Sequence, residues 1–325
     1  LHMKPLTGKL LQFLKMDKAY VDGTGNRLFY RDEDGSLQPV LDVTGGYGAN
    51  LLGHKNPQIQ TMVSSILSTL PPNHIQGAVS ECSIRLAREL SNRLAAETGR
   101  GPWICTLANS GAEAVEAALK QTFRHHKEWT RKKTFWLNAH FNALRKTLED
   151  IGRTEKLRLL ADLKHNLDLK RLPASLCAML MESEDLEKVV DCLEDQNCQT
   201  LSARPMFLAV QGGFHGKTCG ALSVTANPLF RDDFFLDDNN IQTRFIRPND
   251  IEDIDRACDI GTTTLYLPKI KNQTFSVTVK RIQKIAACIF EPIQGEGGIH
   301  PLQKSFIRAL RKKADRLGFL LISDE

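Results

Sequence analysis

Apolar residues along this chain keep two rhythms, and the elements they predict alternate. Short apolar runs stand at 103–107, 206–211, 285–290 and 319–322, with the length and β-branched or aromatic content of buried strands. Between them, apolar positions 112, 115, 119 and 123 predict a helix over 112–123, and 303–317 is amphipathic at helical spacing. Strands alternating with helices predict α/β architecture with a mainly parallel sheet. A polar motif follows each run: Asn109-Ser110-Gly111, then Gly212-Gly213-Phe214-His215-Gly216, then Glu291-Pro292, then Asp324. Ligands of open α/β sheets bind at the carboxyl ends of strands, so the four motifs are expected to converge.

Two stretches depart from this rhythm. Near the N-terminus, residues 20–27 read as a hairpin turn and a short strand ends near Val43, followed by the glycine-rich loop Gly45-Gly46-Tyr47-Gly48. A helix over 57–70 is stopped by Pro71-Pro72, and another covers 80–97. Residues 124–200 are rich in Lys, Arg, Glu, Asp and Leu, with Phe141, Leu144, Leu148 and Ile151, then Leu157, Leu160, Leu163 and Leu167 at helical spacing. Two or three amphipathic helices broken near Gly152 and Pro173 are expected there. They form either a peripheral insertion burying its leucine stripe on the main domain or a partner-docking element. The expected division is an N-terminal segment, 1–75, and a larger domain, 76–325, that carries the insertion.

Composition narrows the class. The 325 residues are 42% hydrophobic and 25% charged, as in ordinary globular proteins and unlike collagen-like or disordered chains. A net charge of +5 is too small to argue for nucleic acid. The eight Cys show no C-x-x-C pair and no zinc spacing, which favours reduced thiols and a cytoplasmic location. Leu1-His2-Met3 reads as a cloning or excision remnant, and the longest uncharged run, about 56–80, is too polar for a membrane span.

Each motif carries its own chemistry. Ser110 and Glu113 have capping-box spacing at a helix start. The small residues at 110–112 leave backbone N–H groups open at the helix's positive end, which suits a phosphate as well as a plainly capped helix. Phe214 can stack on a flat ring or plug the core. Glu291 and Glu296 are carboxylates in a glycine-rich loop, where packing needs neither charge. Asp324 can pair with a protonated ring nitrogen or cap a helix.

Taken together, these motifs resemble those of the class III aminotransferases, the ornithine, acetylornithine and ω-amino acid group. The matches run in the family's order from Tyr20–Arg27 through Gly53-His54-Lys55-Asn56-Pro57, 109–120, Phe214–Thr218, Ala221-Leu222-Ser223 and Glu291–Gly298 to Leu320–Glu325. The resemblance implies a fold-type-I transferase: a three-layer αβα large domain with a mainly parallel sheet, binding pyridoxal 5'-phosphate. It implies that Ser110, Gly111 and Ala112 hold the phosphate, that Phe214 stacks on the pyridine ring with His215 beside it, and that Asp324 bonds the ring nitrogen. Glu291 is placed near the 3'-oxygen, and Tyr47, Lys217 and Glu296 face the substrate. A small-molecule amino donor, a carbonyl acceptor and a homodimer follow, with no nucleic acid, membrane or metal.

Two departures qualify the match. The family's Schiff-base lysine lies a few tens of residues beyond the aspartate motif, and this sequence reaches only Glu325, so the nucleophile and the C-terminal part of the fold are expected beyond residue 325. Lys217 stands where many relatives carry an Arg that clamps a substrate carboxylate, and Lys cannot form that planar bidentate pair. An acceptor without a carboxylate is therefore allowed, as in aminotransferase modules of natural-product pathways such as the pyrrole branch of prodigiosin biosynthesis. An aminomutase of the same fold and a non-catalytic scaffold are the alternatives.

Overall fold

The computed structural model describes residues 5–14, 17–69, 77–166, 172–231 and 241–325; Pro71-Pro72 and Leu167 lie outside them. The chain forms two units, Leu1–Arg88 and Glu89–Glu325.

In the first unit, helix α1 (Pro5–Phe13) precedes the antiparallel strands β1 (Tyr20–Thr24), β2 (Arg27–Arg31) and β3 (Leu37–Leu41). The expected hairpin is present, with Thr24 paired to Arg27 around Gly25-Asn26. Helix α2 (Pro57–Thr69) follows, and α3 (Glu81–Thr98) runs into the second unit, both as the sequence predicts.

The second unit opens with α4 (Gly111–Glu149), then α5 (Arg153–Asn166), α6 (Ala174–Glu182) and α7 (Leu186–Ser202). Strand β4 (Met206–Val210), the short helices α8 (Cys219–Val224) and α9 (Pro228–Arg231), β5 (Gln242–Ile246) and α10 (Ile251–Ile260) follow. The hairpin β6 (Thr262–Lys271) and β7 (Thr274–Gln283) comes next, then β8 (Ile285–Phe290), a small ribbon of β9 (Ile293–Gln294) and β10 (His300–Pro301), α11 (Lys304–Leu317) and β11 (Leu320–Ser323). The main sheet has the order β11-β8-β4-β5, and every pairing is parallel.

That sheet divides two cores because successive side chains of a strand point to opposite faces. Leu208 and Val210 join Ile254, Phe306, Leu310 and Ala314 on one side. Phe207 and Ala209 join Val115, Leu119, Ala221 and Val224 on the other. The result is the expected three-layer αβα arrangement, with α10 and α11 on one face and α4 and α8 on the other. Each large side chain so buried contributes about 1.5–3 kcal/mol.

Three expectations need correction. Residues 103–107 form no strand: Ile104 is 96% exposed, and Trp103 is held beside α3 by its N–H to Ser91 Oγ at 3.0 Å. An apolar run becomes a strand only when a neighbour takes its ladder bonds, and none does so among the described residues. The helix expected over 112–123 runs on to Glu149, since no Gly or Pro interrupts it. What changes near residue 124 is the core: Val115 and Leu119 pack on the main sheet, whereas Leu137, Phe141, Leu144 and Leu148 pack into a third cluster. Finally, the helices of 124–200 do not bury their stripe on the main domain alone. They share that third core with Leu265, Tyr266, Phe275 and Ile282 of the β6–β7 hairpin, a partner the sequence reading lacks. The breaks near Gly152 and Pro173 are present, and a further one at Ser183–Asp185 starts α7 through the Asp185 cap. Leu157 is exposed and Leu159 takes the buried place.

Candidate active site

Three adjacent strand ends and one helix start meet in the second unit. Ser110 caps α4, its Oγ accepting the Glu113 N–H at 3.3 Å, while the Glu113 carboxylate accepts the Asn109 N–H at 2.7 Å. Ala114 donates to the Ser110 carbonyl. Of the first-turn donors, the N–H groups of Gly111 and Ala112 therefore remain available, at the positive end of a 39-residue helix. A side chain grown from Gly111 would meet nothing within 4 Å, so there is open space beside Gly111.

The loop after β4 is pressed against this helix start. At Gly216, φ is +119°, and a Cβ there would lie 2.7 Å from the Ala112 Cβ; only glycine fits. Glu116, one turn into α4, accepts from Thr218 Oγ1 at 2.6 Å and from the Gly220 and Ala221 N–H groups at 2.9 and 3.2 Å, so it caps α8 and ties it to α4.

His215 is the centre of the arrangement. Its side chain is fully buried, and its Nδ1 lies 2.8 Å from Asp324 Oδ2 at the end of β11. An ionised Asp324 selects the tautomer with the proton on Nδ1, which fixes the carboxylate from behind. Among the described residues His215 Nε2 is buried without a hydrogen-bond partner, against Gly213, where a Cβ would come within 2.9 Å of it. The His215 N–H donates to Thr225 Oγ1 at 2.9 Å, and that hydroxyl lies 3.1 Å from the Gly216 carbonyl. Asp324 keeps a partly exposed carboxylate with its second oxygen unpaired among the described residues.

Glu291, at the end of β8, braces the loops. Its Oε2 accepts the Phe214 N–H at 3.0 Å and its Oε1 the Gly295 N–H at 3.1 Å. The Phe214 ring meets Phe230 edge-on at 5.6 Å. The Lys217 ammonium stands 4.0 Å from the Phe230 centroid and 5.8 Å from that of Phe214. Glu296 is exposed on the turn after β9. Tyr47 belongs to the first unit, in a turn with φ 57° and its ring almost wholly exposed.

Ser110, Gly111, Ala112, Phe214, His215, Glu291 and Asp324 are thus drawn together, with Lys217 beside them. Glu116, Thr225 and the buried Gln294, whose Nε2 donates to the Gln211 carbonyl at 2.7 Å, escaped the sequence reading. Glu116 lies inside the 109–120 motif, but nothing in one sequence says that it reaches a helix a hundred residues away. Chemically, the assembly offers N–H donors for an oxyanion, an aromatic face and a buttressed carboxylate for a cationic nitrogen.

Residues 15–325 match the family described as aminotransferase class-III. The chain is a class-III aminotransferase family member. It is 32% identical over 170 residues to an acetylornithine aminotransferase of Methanopyrus kandleri, covering 49% of this chain and 37% of that protein. To a probable mitochondrial acetylornithine aminotransferase of Schizosaccharomyces pombe it is 26% identical over 305 residues, covering 93% of the chain and 46% of the relative. Among solved structures, a transaminase from the marine bacterium Virgibacillus superposes with TM-score 0.57 at 14% identity, covering 99% of this chain and 52% of that one. An amine transaminase from an uncultivated Pseudomonas species, solved in its PLP-bound form, gives 0.53 at 20% identity, covering 96% and 53%. The fold is that of the fold-type-I transferases, and the chain spans less than half the length of the curated class-III relatives it matches.

Proposed function

We propose that this protein holds pyridoxal 5'-phosphate at the β4, β8 and β11 strand ends and transfers an amino group from a small-molecule donor to an aldehyde or ketone acceptor. The observation that carries this reading is the buried His215–Asp324 pair set beside an open helix start. The residues present fit the cofactor: among the described residues the Gly111 and Ala112 N–H groups and one Asp324 oxygen have no partner, and the space beside Gly111 is open. When bound, the cofactor supplies an electron-withdrawing pyridinium ring that stabilises negative charge on the donor's α-carbon.

The chain's own residues then divide the work. Gly111 and Ala112 bind the phosphate through backbone N–H groups, with Ser110 shaping the turn. Phe214 covers one ring face. Asp324 bonds the ring nitrogen, and His215, reaching Asp324 from the protein side, keeps that carboxylate oriented. Glu291 sets the Phe214 and Gly295 backbones on the 3'-oxygen side. Tyr47, Lys217 and Glu296 face the substrate in this proposal, Lys217 as a single cation beside two aromatic rings rather than a bidentate clamp. A homodimer is the assembly proposed, the cysteine pattern without a C-x-x-C pair supports a cytoplasmic place, and biosynthesis is the pathway class proposed.

Asp324→Asn in the full-length protein tests the assignment. Losing one charge-assisted hydrogen bond, about 1.5–3 kcal/mol, slows single-turnover amino-group uptake roughly ten- to a hundredfold or more, while cofactor affinity falls less because the phosphate donors are untouched. An unchanged rate means that another residue faces the ring nitrogen.

A further inference from the structure

At the opposite end of the sheet from Asp324, a cleft of about 640 Å³ opens between α4 and the linker from α7 to β4. Its apolar walls are Phe123, Leu201 and Pro205, and His126, Lys127 and Arg204 stand at its rim. Pro205 directly precedes β4, and Lys284 directly precedes β8 and accepts the Met206 N–H through its carbonyl, so the cleft belongs to the amino ends of these strands. Five strand residues place it roughly 15 Å from the loop carrying His215, and sixteen helical residues place His126 about 24 Å along α4 from Ser110.

Its charge is one-sided. Burial lowers the proton affinity of the His126 ring, and the neighbouring charges of Lys284 and His125 lower it further. Burial likewise lowers the Lys284 ammonium, with no carboxylate acting against it. Among the described residues, Lys127 and Arg204 have no carboxylate partner either. Basic side chains at the rim of an apolar-walled cleft, with the partly buried Lys284 near His126 and no counter-charge among the described residues, form an arrangement that costs free energy unless an anion completes it. The volume falls in the range of small-molecule sites.

We propose that this cleft is a binding site for a small organic anion, an apolar body carrying one carboxylate, seated with its body against Phe123, Leu201 and Pro205 and its head among His126, Lys127 and Arg204, within the field of Lys284, whose charge reaches His126. The charge sets the class: a neutral body of the same shape would fill the walls and leave the cations uncompensated.

The probe is 4-phenylbutanoate, compared by calorimetric titration of the full-length protein with the neutral 4-phenylbutanamide. The acid binds saturably, and the amide binds at least about tenfold more weakly. Lys284→Gln and the exposed-site variant Arg204→Gln each weaken the acid by about tenfold, Lys284→Arg restores it, and Lys280→Gln on β7 changes nothing. Saturating pyridoxal phosphate leaves the affinity unchanged. Equal binding of acid and amide, absence of saturation, wild-type affinity in the two charge-removing variants, or displacement by pyridoxal phosphate would each overturn the proposal. Arg204→Gln keeps the test open should Lys284→Gln fail to fold.

Discussion

Asn197 is a fully buried amide on α7, and it binds one residue of β6 twice. Its Nδ2 donates to the Tyr266 carbonyl at 2.7 Å, and its Oδ1 accepts the Tyr266 N–H at 2.8 Å. The side chain thus takes the place of a neighbouring strand along the free edge of the β6–β7 hairpin. Removing it orphans one buried donor and one buried acceptor, each costing about 1–3 kcal/mol, so Asn197→Ala and Asn197→Leu should lose roughly 2–6 kcal/mol. Leucine refills the volume and isolates the polar part of the loss. Asn197→Asp keeps the acceptor but sets a carboxylate against the Tyr266 carbonyl. Its protonated form can donate there, so burial raises its pKa and its deficit shrinks as pH falls toward the unfolded carboxylate value near 4. Because the chain has more than one core, a single melting curve is a poor readout, and native-state hydrogen exchange resolves the parts. Protection across Thr262–Gln283 should fall roughly thirtyfold or more in the Ala and Leu variants, while β4 and β8 keep theirs. Hairpin protection within threefold of wild type in both variants would refute the reasoning.

Three further outcomes are expected. Gly216→Ala adds a Cβ 2.7 Å from the Ala112 Cβ at φ +119°, so strain of about 1–3 kcal/mol should appear as a lower melting temperature and weaker pyridoxal phosphate binding; unchanged values would mean that the loop and helix start are not in contact. In the first unit, Asp42 accepts from His54, from the Gly45 N–H and from Thr44, which hold its carboxyl down to about 2. Its stabilising effect is therefore complete above the unfolded carboxylate value near 4 and lost as pH falls through about 2, and a carbon-detected NMR titration with a midpoint near 4 would contradict this. Excising 136–200 alone should strip cover from Leu265, Tyr266, Phe275 and Ile282, each worth about 1.5–3 kcal/mol. Excising 136–200 together with the hairpin should leave soluble protein that still binds pyridoxal phosphate, and equal solubility of the two deletions would show that the hairpin does not depend on the helices.

What the sequence made legible was whatever depends on neighbours in the chain. The runs at 206–211, 285–290 and 319–322 are strands because their apolar residues fill both faces of a buried sheet. The Ser110–Glu113 cap is present because its partners are three residues apart. The site's convergence was legible too, since parallel strands must end on one side. What stayed hidden needed a second segment of chain. Residues 103–107 carry strand composition, yet composition supplies no ladder partner. Asn272-Gln273 turns the β6–β7 hairpin with both residues at positive φ, a conformation that Asn-Gly would have announced and Asn-Gln does not. The expected boundary near 124 is real as a change of core and wrong as a break in the helix, because periodicity reports which residues are buried and not what buries them. The same limit applies to His215. Its place after Phe214 marked it as a candidate, but its contact with Asp324, 109 residues on, depends on the closeness of the β4 and β11 ends. A contact between such distant residues is visible only once the sheet order β11-β8-β4 brings the two together.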